Sequence, residues 1–313
     1  METSHEITPE QAGQTIAAVV RDLVPGTSWS QAKDLCKSGR VWIGGRAATD
    51  PARRLAGGER VEIRSGPGRS ATADLVVHLD PEIVVVRKPA GILTVPFERE
   101  DRDTLLALAR VAIRRMRGSG GSPTLRTVQR LDKDTSGLVV FARSVPAQRH
   151  LQEQLSAHTV TRRYLAIAHG EVRDGVHESL FVPDRGDGLR GSWGRYRREK
   201  GAPPPTAKEA ITRVRVAERL RGATLAECEL ETGRQHQIRI HLAEAGHPLV
   251  GETVYVRDYL RDNRGPLLPA PRPMLHAAVL GFVHPRTGKS MRFEDPLPGD
   301  FLDVLETLRL PRS

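Results

Sequence analysis

Short apolar runs punctuated by Gly, Pro and Asp recur from residue 75 to residue 282, without the regular alternation of strand and helix that a parallel sheet requires. Strands are predicted at Leu75 to Leu79 and Ile83 to Val86, either side of an Asp80-Pro81 turn. Others fall at Leu138 to Ala142, Arg163 to His169, Ala210 to Glu218, Ala223 to Leu230, Gln237 to His241 and Ala277 to Phe282. Helices are sparse. One is predicted from a Thr104 cap through Leu105, Ala109, Ile113 and Met116 to Gly118, where a flexible surface segment follows to Ser122. A second runs over about Pro146 to Ala157 behind a Ser144 cap. The fold class is therefore α+β, with a mixed, mainly antiparallel sheet in place of a doubly wound one.

The first 64 residues have a different rhythm. Residues 9 to 24 carry a helical face of Ile16, Val19, Val20 and Leu23, with Thr8 and Pro9 as a start signal. Ser28 or Ser30 caps a second short helix through Ala32, Leu35 and Cys36, stopping at Gly39. Strands at Val41 to Ile43 and Val61 to Ile63 follow, with turns at Gly44-Gly45 and Gly57-Gly58. A polar, Gly- and Pro-rich stretch beginning Ser65-Gly66-Pro67-Gly68 reads as a linker. The expected organisation is a domain over 6–64, a linker over 65–73 and a larger domain over 74–313.

The 48 Lys and Arg outnumber the 38 Asp and Glu, leaving +10. That balance favours a polyanionic partner. Cys36 and Cys228 are the two cysteines, far apart in the sequence, so neither a zinc knuckle nor a disulfide framework is indicated and both read as core. No apolar run reaches membrane-spanning length, and the polar start is not a signal peptide, so the expected location is the cytoplasm.

Three stretches carry chemistry. Arg130-Leu131-Asp132-Lys133-Asp134-Thr135-Ser136-Gly137 sets a carboxylate two residues from a guanidinium, just before an apolar strand. Asp132 is a candidate nucleophile; a structural Asp–Arg pair, or a turn cap at Thr135, is the alternative. Arg162-Arg163-Tyr164 opens an alternating strand that ends at His169-Gly170. A Tyr there is usually a packing residue, and His169 reads as structural. Leu230 to His241 interleaves Arg234, His236, Arg239 and His241 with apolar residues. On a strand the two histidines point to opposite faces, so no shared metal is expected.

Together these stretches resemble the RluA-type RNA pseudouridine synthases. The octet matches the family's His-Arg-Leu-Asp-x-x-Thr-Ser-Gly except that Gln129 replaces the His. Thr232-Gly233-Arg234-Gln235-His236-Gln237-Ile238-Arg239-Ile240-His241 matches a second signature. The basic residue, Tyr164 and strand to Gly170 match a third. Lys88-Pro89-Ala90-Gly91, Gly246 to Glu252 and Asp295-Pro296-Leu297-Pro298 are similar to the family as well. Ser38 to Gly45 and Gly57 to Val61 resemble an S-four-type (αL) RNA-binding module, with Lys33, Lys37, Arg40 and Arg46 as its basic face.

The resemblance implies the pseudouridine synthase fold, with Asp132 as nucleophile, Arg239 paired to it, and Tyr164 against the base. It places Arg130 toward RNA, Ile238 packed beneath the site, and Thr135, Arg234 and His236 on the substrate side. The reaction is an isomerisation, so no cofactor is expected. The implied partner is RNA, large-subunit ribosomal RNA ahead of transfer RNA, and not a membrane; the protein is expected to act as a monomer. Two rivals remain: a non-catalytic RNA-binding ribosome-assembly protein, and a glycoside or nucleoside hydrolase using Asp132.

Overall fold

A computed structural model describes residues 3–37, 40–44, 46–48, 50–63, 75–98, 101, 103–117, 123–196 and 202–309. The expected linker and the segment from Gly118 to Ser122 lie outside these residues, as do 197–201.

The N-terminal sheet has the order β1-β4-β2-β3, from β1 (Thr3–Glu6), β2 (Val41–Ile43), β3 (Arg46–Ala47) and β4 (Arg60–Ile63). β1 is a strand that the sequence pattern did not signal: Thr-Ser-His-Glu carries no apolar residue, and only its pairing with β4 makes it a strand. Helix α1 (Ile16–Leu23) begins later than residue 9. Residues 8 to 14 instead form hydrogen-bonded turns that include Gly13 at φ +86°. The cap is Thr15, whose Oγ1 accepts from the Ala18 N–H at 3.3 Å. Helix α2 (Trp29–Lys37) starts behind Ser28, whose Oγ accepts from the Gln31 N–H while Gln31 Oε1 accepts from the Ser28 N–H. Ile16, Val19, Val20, Ala32, Cys36, Val41 and Val61 close this core.

Among the described residues the larger sheet has eleven strands. Its main path runs β11 (Gly191–Ser192), β10 (Gly175–Val182), β12 (Lys208–Leu220), β13 (Ala223–Leu230), β9 (Thr161–His169), β14 (Leu275–Val283), β8 (Ser136–Ala142), β6 (Ile83–Lys88) and β5 (Val76–Leu79). β15 (Ser290–Glu294) pairs with β14, and β7 (Arg126–Thr127) with β8. Among the described pairings only β8 with β14 is parallel, so the sheet is mixed and mainly antiparallel.

β8 is buried along its whole length because both of its faces are covered. Val139 and Phe141, with Val84 and Val86 of β6, pack against helix α3 (Leu105–Arg117). Leu138, Val140 and Ala142, with Ile83 and Val85, pack against helix α4 (Val145–Ser156). Each large side chain buried this way stabilises the fold by roughly 1.5–3 kcal/mol. Ser144 caps α4 as expected, accepting from the Ala147 N–H at 3.2 Å. Cys36 and Cys228 are both fully buried. Gly137 allows the parallel crossing: it sits at φ +115°, and a Cβ there would lie 2.3 Å from the Ala277 carbonyl oxygen.

One expected strand is a helix. Gln237 to His241 belongs to helix α5 (Gln237–Glu244). The alternation of Ile with Arg and His suggested one buried and one exposed face. In fact every residue from Gln237 to Ala243 is buried, and the polar ones are held by partners. His236 enters the helix at φ +59°, a left-handed turn that ends the preceding loop. Two further helices among the described residues are α6 (Arg257–Arg261) and α7 (Gly299–Arg309). Among the described residues no helix is long and apolar enough to cross a membrane.

Candidate active site

Asp132 sits in the loop that feeds β8, and four anchors fix that loop. Lys88, 1% exposed, donates from Nζ to the carbonyls of Lys133 at 2.7 Å, Thr135 at 2.8 Å and Pro89 at 3.1 Å. Thr94 Oγ1 donates to the Leu131 carbonyl at 2.9 Å and accepts from the Leu131 N–H at 3.0 Å. The Gly91 N–H donates to the Lys133 carbonyl at 2.9 Å. Arg272 reaches the Asp134 carbonyl at 3.1 Å and the Ser136 hydroxyl at 3.2 Å. Burial pulls Lys88 down to about 7, against the opposing pull of Asp134 and Asp132. The three carbonyl acceptors match the three donors of an ammonium, and that geometry favours the charged form at neutral pH.

The loop opens on a cleft of about 1070 Å³. Asp132, Arg130, Thr135, Tyr164, Arg234, His236 and Ile238 all line it, so residues from three distant stretches of sequence converge. Gln129, which stands where the family has His, lines it too. Arg130 is exposed, and the Asp132 carboxylate is 25% exposed. Thr135 and Ile238 are buried, Ile238 in the same core cluster as Tyr164. Arg234 donates from Nε to the Glu209 carbonyl at 2.7 Å.

Tyr164 is 8% exposed, and burial pushes its phenol up to about 12; Arg162 opposes that rise and Asp132 adds to it. The ring therefore keeps its proton at neutral pH. Arg162 is held by the Leu230 and Glu231 carbonyls at 3.1 and 2.7 Å, leaving its guanidinium on the cleft wall.

Arg239 departs from expectation. Instead of pairing with Asp132, it makes a fork-to-fork pair with Glu252, Nε to Oε2 and Nη2 to Oε1, both at 2.7 Å. Glu252 also accepts N–H bonds from Thr253 at 3.0 Å and Val254 at 2.9 Å. This two-tooth carboxylate with a backbone cradle outcompetes the more exposed Asp132. Burial alone would lower Arg239, but the Glu252 bonds outweigh it and hold the guanidinium above its ordinary value. Asp132 adds to that through space. Burial would raise Glu252, and the Arg239 bonds hold it low.

His236 Nε2 lies 4.0 Å from Asp132 Oδ1. Its Nδ1 shares a 2.7 Å hydrogen bond with the Tyr255 hydroxyl. Burial lowers its pKa, with Asp132 opposing and Arg239 assisting. His241 points elsewhere, to Thr212 at 2.8 Å and Ser179 at 3.1 Å. His169 spends both nitrogens on the Pro248 carbonyl and the Leu268 N–H, a structural use as expected. Among the described residues no group of His, Cys, Asp or Glu is arranged to hold a metal.

Glu252, Tyr255 and Lys88 are the site residues that sequence reasoning left without a role. Lys88 and Glu252 lie in segments that resemble the family and Tyr255 lies in none, and nothing local marks a Glu thirteen residues from an Arg as its partner. In the N-terminal unit Lys33 is exposed and Arg40 partly buried; the side chains of Lys37 and Arg46 lie outside the described residues.

The sequence model described as RNA pseudouridylate synthase matches residues 82–244, more than half of the chain. The chain belongs to that family. An S4 domain model matches residues 15–61. A protein of Neisseria meningitidis serogroup A named ribosomal large subunit pseudouridine synthase D is 34% identical over 315 residues, covering 96% of this chain and 80% of the relative. Its namesake in Haemophilus influenzae is 32% identical, covering 98% and 94%. The solved structure of human RNA Pseudouridylate Synthase Domain Containing 4 superposes with a TM-score of 0.58 at 22% identity, over 78% of this chain and 96% of that one, which supports the shared fold. The activity that goes with the family is isomerisation of uridine within RNA.

Proposed function

We propose that this enzyme converts uridine to pseudouridine in large-subunit ribosomal RNA, in the cytoplasm, with Asp132 as the nucleophile. The observation that carries the role of Asp132 is that it is the one carboxylate among the described residues lining the cleft. A glycoside or nucleoside hydrolase normally needs a second carboxylate as acid or base, so the same observation disfavours that rival. The ribosomal substrate rests on the names of the relatives, which cover nearly the full length of the chain.

The reaction breaks the bond from ribose carbon 1′ to uracil N1 and joins carbon 1′ to uracil carbon 5. The proton leaves carbon 5 and N1 gains one, so atoms and electrons balance with no redox partner. Asp132 supports the cleaved sugar, as carboxylates do at glycosidic carbons. Tyr164, protonated and flat, stacks on the displaced uracil and relays the proton from carbon 5, its oxygen taking that proton as its own passes on to water. Arg130 faces the RNA at the mouth. The Arg239–Glu252 pair backs the site from below and does not touch substrate.

A paired or stacked uridine must be extruded, at a cost of a few kcal/mol. Stacking returns roughly 1–3 kcal/mol per base. Phosphate contacts from a chain of net charge +10 supply a salt-dependent remainder. We assign part of that remainder to the N-terminal module, ending at residue 64, with 65–73 as linker and the catalytic domain from 74. Mapping pseudouridines in total RNA with and without this gene tests the substrate. Loss of sites in large-subunit ribosomal RNA is expected; loss confined to transfer RNA would overturn that substrate.

A further inference from the structure

Phe97 breaks the pattern of every other phenylalanine in the chain. Of the six, Phe141, Phe181, Phe282 and Phe301 are at most 4% exposed and Phe293 is partly buried, whereas Phe97 is 86% exposed. It is not a stray surface residue, because it lines the same cleft as Asp132. Its backbone is fixed: the Asp101 carboxylate accepts from the N–H groups of both Phe97 and Glu98 at 2.9 Å. Three residues earlier, Thr94 is bonded in both directions to Leu131, the neighbour of Asp132. The adjacent Leu93 and Thr94 carbonyls accept from the Leu105 and Leu106 N–H groups at the head of α3. A bare phenyl ring is thus held at the mouth of the cleft, in fixed register with the nucleophile loop. The ring is too exposed to contact a uracil buried between Asp132 and Tyr164. The exposed cations Arg130 and Lys133 line the same mouth.

We infer that Phe97 is a stacking platform for an unpaired RNA base that flanks the target uridine, and that it helps decide which uridine enters. The inference rests on the proposed RNA substrate. An aromatic face accepts any base by stacking, while adjacent cations hold the connecting phosphates. The platform therefore favours a uridine whose neighbour is unstacked over one in a continuous helix. It leaves the chemistry at Asp132 untouched, so Phe97 acts as a positioning residue.

The test is single-turnover tritium release from an unmodified large-subunit ribosomal RNA transcript labelled at uracil carbon 5, read as half-saturating RNA concentration and rate at saturation. Phe97→Ala is expected to raise the half-saturating concentration roughly five- to a hundredfold. The saturated rate is expected to stay within about twofold. Phe97→Trp is expected to restore affinity, and Phe97→Leu, apolar but without a π face, is not. Equal affinity of Phe97→Ala and the wild type overturns the inference, as does full rescue by Leu. A change of oligomeric state with unaltered RNA affinity also overturns it and assigns the ring to a protein contact. If the wild type itself releases no tritium from this transcript, the ribosomal substrate fails and takes this inference with it.

Discussion

Arg239 and Glu252 hold each other through two 2.7 Å contacts, and this pair leaves the Asp132 carboxylate open to the cleft. Had Arg239 forked onto Asp132, both oxygens of that carboxylate would be engaged.

Glu252→Gln is expected to destabilise the protein by roughly 3 kcal/mol, because it leaves a buried guanidinium without its counter-charge. In the folded fraction the saturated rate should fall at least roughly tenfold, since a released Arg239 can swing onto Asp132, while RNA affinity stays put. Denaturant unfolding with single-turnover kinetics checks both halves, and partial rescue by Glu252→Asp is expected. An unaltered saturated rate would mean that the pair is structural only.

Tyr164→Phe preserves shape and stacking but removes the hydroxyl. The saturated rate is expected to drop roughly a hundredfold or more, the usual scale for a lost proton-transfer group, with RNA binding nearly unchanged. Because the phenol is pushed up to about 12, its ionisation should not appear in the pH–rate profile below about pH 10. Rapid-quench assays across pH read this. A phenylalanine variant with wild-type rate would reduce Tyr164 to a stacking surface.

His241 links stability to acid. Burial, with a smaller push from His177, brings it down to about 4, well below the ordinary histidine value of 6.5. The folded state keeps the ring neutral while the unfolded chain takes up the proton. Its contribution is therefore intact above pH 6.5 and is lost as pH falls towards 4, amounting to roughly 3 kcal/mol. Thermal unfolding at pH 7 and pH 5 should show the loss, and His241→Gln should flatten it. An identical pH slope in the variant would contradict this.

Legibility in the sequence followed the kind of physics involved. Strands with one clear apolar rhythm, such as β9 and β13, and helices with a side-chain cap, such as α4, were readable because local residues determine them. Asp132, Tyr164 and the arginine-bearing stretch were readable through their motifs, and the fold brings Asp132 and Tyr164 to one cleft. Helix α5 was misread because its polar side chains are buried by partners far away in sequence, so polarity no longer reported exposure. β1 was invisible for the opposite reason: it has no apolar signal, and its strand character comes from β4. The partner of Arg239 was missed because a bidentate pair is specified by geometry, not spacing.

The central claim is that Asp132 attacks or supports the sugar of a uridine held in this cleft. The most direct measurement is tritium release from RNA labelled at uracil carbon 5, comparing wild type with Asp132→Asn at saturating RNA, alongside RNA binding by the same proteins. The expected result is a loss of turnover of roughly 10⁴-fold or more with binding retained. Substantial turnover by Asp132→Asn would contradict the account.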